Sequence, residues 1–290
     1  MNRKRHLFKN RNGYYSTSAN IICTVVTVLF LFCFAFPILY VVLSSFIMVG
    51  NLKQPYIISF DGYKLLFENT KIWRGMWNSM VYSSVGTVIS LALSILFGYA
   101  ISSVNFQMNK LVSFLLLFTL YFSGGMIPTY LLIKKIHLLN TMWALILPSC
   151  ISVYRTNLLA THLRTNKSRD LYDAARIDGC GHWAYLLYIV LPFITPMLFT
   201  MAFLFFTSYW NSYLAASIYI TDPNKYPITI IINQIMTKNN ESTVFSSTSN
   251  YISPQVRQMM QYSLIVFSSL PLLLFSLIIK KRTFIDNQID

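Results

Sequence analysis

NIICTVVTVLFLFCFAFPILYVVLSS, Asn20 to Ser45, is dominated by Leu, Ile, Val and Phe. A hydrocarbon core about 30 Å thick needs about 20 helical residues to cross it, so this run is long enough to be a membrane-spanning helix. It also exceeds the usual apolar stretch of a cleaved signal peptide, and no small-x-small cleavage site follows, so it is expected to stay as the first helix. Five further apolar runs follow, at about 78–103, 111–133, 142–162, 187–209 and 262–280. Their weak alternation favours helices over barrel strands, which need short segments of period two. The fold class is therefore all-α, a polytopic membrane protein with six transmembrane helices.

Composition excludes several classes. The 290 residues are 55% hydrophobic, 16% aromatic and only 11% charged, with a mean hydropathy of +0.52; an ordinary soluble domain carries about 25% charge. The net charge of +14 invites a nucleic-acid reading, but the basic residues sit at helix ends, where they meet anionic headgroups, and no basic-aromatic surface domain is present. Cys23, Cys33, Cys150 and Cys180 are spaced for neither disulfides nor a metal and read as small packing residues. His6, His137, His162 and His182 are scattered, so no metal centre is expected. The phosphate-cradling G-x-x-x-x-G-K-[ST] loop is missing. The spans are nearly free of the Asp, Glu and Lys that serve proton-coupled carriers as relays. Neither a Ser-His-Asp nor a paired-carboxylate arrangement can be drawn from the nine acids. The chain reads as no enzyme, and any uphill transport must be powered by another chain.

Most Lys and Arg fall on one side if the N-terminus is cytoplasmic, including Arg164, Lys167, Arg169 and Arg176 in one loop. The expected organisation is a basic cytoplasmic segment over 1–19 and a six-helix domain over 20–280. That domain carries a cytoplasmic loop at 163–186 and a long extracytoplasmic loop at 210–261, and a cytoplasmic tail follows at 281–290.

The cytoplasmic loop contains DLYDAARIDGCGHW, Asp170 to Trp183, unusually polar for this chain. Ser168 suits a helix N-cap, Asp170 favours the first turn, and Gly179 stands where a left-handed residue would end the helix. A helix over Arg169–Asp178 is predicted, with Ala174 and Ala175 keeping one face smooth for insertion into a partner's groove. A solvated loop helix is the alternative.

The extended segment DAARIDGCGHWAYLLYIVLP, Asp173 to Pro192, resembles the EAA loop of bacterial ATP-binding-cassette importer permeases. FSGGMIPTYLLIKKIHLLNTMWALILP (Phe122–Pro148) and YWNSYLAASIYITDPNKYPI (Tyr209–Ile228) are similar to stretches of the carbohydrate-uptake branch that imports oligosaccharides and polysaccharide fragments. The resemblance runs from about residue 15 to 280. It implies the importer permease (MetI-like) fold, a bacterial cytoplasmic-membrane location, and coupling to an ATPase through Asp173, Ala174, Ala175, Asp178 and Gly179. The family's Glu is Asp173 here, a common Ala is Cys180, and the tail KKRTFIDNQID lacks the usual glycine-containing ending. An altered fit to the ATPase is expected. The implied partners are a second, homologous permease, two ATPase subunits, an extracytoplasmic sugar-binding protein, an oligosaccharide and membrane lipid. ATP and Mg would sit on the ATPase, leaving no cofactor on this chain. Two packed states, biased by nucleotide, would alternate access.

For the substrate path, aromatic rings suit pyranose C–H faces and amides suit hydroxyls, which points to Tyr209, Trp210, Asn211 and Tyr213. An aromatic belt at the membrane interface is the competing reading. Gly124, Gly125 and Pro128 interrupt the third run, either to line a path or simply to pack. Arg155 lies inside the fourth run: it either faces the path and meets an acidic sugar or, as the residues favour, snorkels or forms a structural pair. Asp222 to Gln261 is the longest polar insertion; its KNNES and SSTSN stretches read as flexible, and the loop either meets the binding protein or is passive. Two rivals remain from sequence: a self-sufficient sugar channel or facilitator, and a membrane scaffold that recruits a soluble partner.

Overall fold

In lipid there is little hydrophobic drive between helices, so close packing depends on small residues that let backbones approach. One helix here is built that way. The computed structural model describes residues 17–49, 56–102, 109–122, 124–166, 169–237 and 254–286, and they fall into two compact units.

The first unit draws on 1–66 and 249–267. It holds α1 (Thr17–Ser44), a short antiparallel hairpin of β1 (Ile47–Val49) and β2 (Tyr56–Ile58) with Ile47 opposite Ile58, and most of α2 (Asp61–Glu68). Along α1 the side chains from Ile21 to Leu39 are all exposed, as expected of a helix meant for lipid or another subunit. Where α1 ends, the Ser45 hydroxyl bonds Val42 O and the Tyr63 hydroxyl, and Ser263 donates to Ser45 O at 3.2 Å.

The second unit draws on 67–248 and 268–290. Its axis is α3 (Thr70–Ser102), on which Ser79, Ser83, Gly86, Ser90, Ser94 and Gly98 are all buried. Their spacing of three and four residues makes one smooth helical stripe. Against it pack α7 (Val153–Asn166), α11 (Thr195–Trp210) and α13 (Ile228–Thr237). Gly86 shows why the stripe must be small: a Cβ there would lie 2.8 Å from the Tyr209 ring.

In chain order, α4 (Asn109–Tyr121) and α5 (Met126–Lys135) follow α3. The break between them comes where Gly124, Gly125 and Pro128 were expected to interrupt the third run, with Gly125 at φ 84°. The run expected at 142–162 is itself divided. It consists of α6 (Trp143–Ile146), a 3₁₀ turn at Leu147–Ser149 and then α7, because Pro148 has no N–H to continue a helix. The loop helix α8 (Arg169–Ile177) comes next, then α9 (His182–Ala184), a π-helical stretch at Tyr185–Val190 and α10 (Leu191–Phe193). The fifth run is not one straight span: His182–Phe193 meets Thr195–Trp210 at 82°, between Pro192 and Pro196, which cannot supply ladder N–H groups.

The chain continues through α12 (Tyr213–Tyr219), a 3₁₀ turn at Pro223–Lys225 and α13, and ends on α14 (Pro254–Asp286). Three described helices are long and apolar enough to cross a membrane, and the two broken pairs raise that to five. The outer loop expected from Asp222 to Gln261 begins with the 3₁₀ turn and α13, where Ile228, Ile231 and Ile235 are buried. KNNES and SSTSN lie outside the described residues. So do Ser168, the proposed N-cap, and residues 1–16. The expected tail starts as helix, since α14 runs to Asp286.

Candidate functional site

The polar cassette forms a helix as its residues require. Gly179 adopts φ 77°, and the Gly179 N–H donates to Arg176 O at 3.1 Å while the Cys180 N–H donates to Ala175 O at 2.9 Å. This pair of bonds is the Schellman ending, which only a residue tolerant of positive φ closes cheaply. The helix therefore stops at Ile177, one residue earlier than the spacing suggested.

Its faces differ from the expected smooth ridge. Ala174 is exposed, but Ala175 is 7% exposed and belongs to a cluster with Leu159, Leu163, Tyr185 and Leu186. At 3.6 residues per turn, consecutive alanines point about 100° apart and cannot share a narrow ridge. Tyr172, one turn before Ala175, meets the Tyr185 ring edge-on at 5.2 Å and stacks with His182 at 6.1 Å. Thus one face of α8 is bolted to the chain by Tyr172 and Ala175, while Asp173, Ala174, Arg176, Asp178 and Gly179 stand exposed. Ile177 is 86% exposed on the same side. The sequence reading passed over Ile177; its signal was an apolar residue three and four positions after Ala174 and Asp173 on an otherwise polar face.

The aromatic cluster divides. Tyr209 is 7% exposed and Trp210 3%. The Tyr209 hydroxyl bonds Ser90 Oγ at 2.7 Å and Ile146 O at 3.4 Å, and the Trp210 ring stacks on Phe206 at 5.7 Å. Both side chains are thus committed to the interior. Asn211 is exposed, and the Tyr213 ring is 38% exposed with its hydroxyl 3.1 Å from Asn233 Oδ1. Arg155 is half-buried, its guanidinium carbon 4.4 Å from the centroid of the Phe205 ring. Among the described residues no group of three or more His, Cys, Asp or Glu could hold a metal.

At the end of α3 away from α8 is a polar knot that no motif announced. Asn140, at φ 61°, accepts at Oδ1 from Thr221 N (2.6 Å), Thr221 Oγ1 (2.9 Å) and Asp222 N (3.1 Å). Its N–H donates to Tyr219 O at 3.0 Å, and Lys225 Nζ donates to its carbonyl at 2.9 Å. Asp222 caps the 3₁₀ turn through Asn224 N, and Asn78 and Tyr82 of α3 donate to the same turn. Asp-Pro-Asn at 222–224 was a legible turn signal; its union with Asn140 was not.

No family model matches the chain. It is 32% identical over 252 residues, covering 85% of this chain and 88% of the relative, to the polygalacturonan/rhamnogalacturonan transport system permease protein YtcP of Bacillus subtilis (strain 168). The chain belongs to the family of ABC sugar transport permeases. As a member of that family it is the transmembrane subunit of an ATP-driven sugar importer, a multi-pass protein of the inner membrane that works with ATPase and binding-protein partners; the facilitator reading finds no support. A second permease relative, Protein LplC of the same organism, is 31% identical over 82% of each chain. The fold of this permease is that of a solved bacterial ABC transporter involved in the import of the acidic polysaccharide alginate, with a TM-score of 0.81 and 24% identity over 92% of this chain and 98% of that one.

Proposed function

We propose that this permease pairs with a second, homologous permease, two ATPase subunits and an extracytoplasmic sugar-binding protein to import oligosaccharides released from polysaccharides. Both termini and α8 lie on the cytoplasmic side, and ATP and Mg are held by the ATPase. The observation that carries this reading is the mounting of α8. It is anchored through Tyr172 and Ala175 while Asp173, Ala174, Ile177 and Asp178 stay open, so a partner gripping the open face moves the whole cluster beneath it. That cluster reaches α7 through Leu159 and Leu163 and α11 through Met201, which gives ATPase closure a packed route into the membrane helices. In this reading Ala175 positions the helix and Ile177 joins the docking face.

The relatives' names, polygalacturonan/rhamnogalacturonan and alginate, support a polysaccharide-derived cargo. Asn211 and Tyr213 are the residues of the original cluster that touch sugar, and Tyr209 and Trp210 hold them in place. The test is sugar-stimulated ATP hydrolysis by the transporter reconstituted with its binding protein, comparing the natural chain with Ile177→Asp. The variant should assemble its permease pair normally yet lose ATPase stimulation by roughly tenfold, since a charge placed where docking on the ATPase would bury an apolar side chain costs well over 1 kcal/mol. Undiminished stimulation would remove α8 from the coupling interface, and solute flux without ATPase would overturn the importer reading.

A further inference from the structure

Arg155 is a cation at the wrong depth for an anchor. Its guanidinium lies over Phe205, which clusters with Tyr209 and Ile146 against Ile89 and Leu91 of α3; Ser90, between those two, bonds Tyr209. Taking Ser90 as the level mark, Ile101 lies 11 residues further along α3 (101 − 90) and Asn78 lies 12 residues back (90 − 78). At 1.5 Å per residue these are about 16 and 18 Å. Ile101 O is the carbonyl held by Arg164 near the α8 end, and Asn78 belongs to the opposite polar knot. Arg155 therefore stands near mid-height, further from either polar end than an arginine side chain reaches, and snorkelling does not account for it.

Its charge also has no acid to answer it. Among the described residues the guanidinium makes no hydrogen bond or ion pair; the Phe205 ring lies against it, and Tyr209, whose hydroxyl bonds Ser90, is also close enough to interact with it. The acids of the sequence, Asp61, Glu68, Asp170, Asp173, Asp178, Asp222, Glu241, Asp286 and Asp290, all fall outside the span that holds Arg155. A ring stack aims a guanidinium while leaving its five N–H donors free for a planar, bidentate acceptor, and an ionisable group at this depth is a functional site by default.

We infer that Arg155 is the residue of this permease that selects carboxylate-bearing saccharides, binding the uronate carboxylate as the chain of sugars passes mid-membrane. The inference rests on the importer reading above and names its substrate class. A carboxylate entering a low-dielectric passage needs a fixed partner to replace its water, whereas a neutral sugar does not; Arg155 supplies that partner and Phe205 holds it in register.

The test uses the full transporter in proteoliposomes with a panel of oligogalacturonates and oligomannuronates, each paired with its methyl ester. Arg155→Gln should raise KM for the acids by roughly tenfold or more, the worth of a charge-assisted hydrogen bond, with uptake of the esters unchanged and with the subunits co-purifying as before. Arg155→Lys should keep the preference for acids at a several-fold higher KM, and it serves as the deciding variant if the Gln form does not assemble. Equal losses for acid and ester would assign Arg155 to a structural role or to a carboxylate of the partner permease and overturn the proposal. So would an unchanged acid KM in either variant, or a wild-type transporter that imports none of the uronates. ATP-independent uptake of the whole panel would instead bring down the importer reading itself.

Discussion

Substituting Asn140 separates two contributions that the knot combines. Its Oδ1 accepts three hydrogen bonds, from Thr221 N, Thr221 Oγ1 and Asp222 N. Thr221 is exposed and Asp222 half-buried, so each bond is worth the low end of the usual range, about 0.5 kcal/mol, or about 1.5 kcal/mol together. The backbone at φ 61° adds about 1 kcal/mol for a residue with a Cβ and no local hydrogen bond. Asn140→Gly should lose only the bonds, raising amide exchange at Thr221 and Asp222 roughly tenfold. Asn140→Ala should lose both, about 2.5 kcal/mol and roughly 70-fold. Asn140→Asp keeps the acceptor and should change exchange by less than about threefold. Hydrogen–deuterium exchange on the protein in nanodiscs reads all three. Equal effects of Gly and Ala would show that the backbone strain is not real, and an Asp variant as damaging as Ala would show that the accepted bonds do not hold the knot.

Gly86→Leu should destabilise the protein by about 1–3 kcal/mol, because its side chain must enter space held by the Tyr209 ring 2.8 Å away; an unaltered thermal unfolding curve in detergent would refute the close crossing of α3 and α11. Gly179→Ala meets open space but keeps φ 77°, so it should cost about 1–2 kcal/mol at the end of α8 and appear as faster exchange at the Cys180 amide, with the rest of the chain unaffected.

Much of this protein was legible before any coordinates, because some features depend on one segment alone. The runs from Asn20, from about residue 78 and from 262 were long and apolar enough to be helices whatever surrounded them, and the EAA-like loop carried its own stop signal in Gly179. The stops inside the other runs were also local: Gly124, Gly125, Pro148, Pro192 and Pro196 are visible in the sequence, although how far each bends the chain depends on what packs beside it. Two neighbouring alanines looked interchangeable in sequence; whether each faces the partner or the core is a matter of 100° per residue measured against a neighbour that only the fold supplies. Tyr209 and Trp210 suit a sugar or a packed interface equally well by residue type, and it took the small stripe on α3, with Gly86 and Ser90 opposite the ring, to draw Tyr209 inward. Asn140 and Arg155 make the same point from opposite directions. One finds three donors about 80 residues away along the chain and the other finds a ring but no acid. The local period of the chain determined which segments are helices and where α8 ends, while long-range contacts decided which side chains are spent on packing and which remain open to a partner or a cargo.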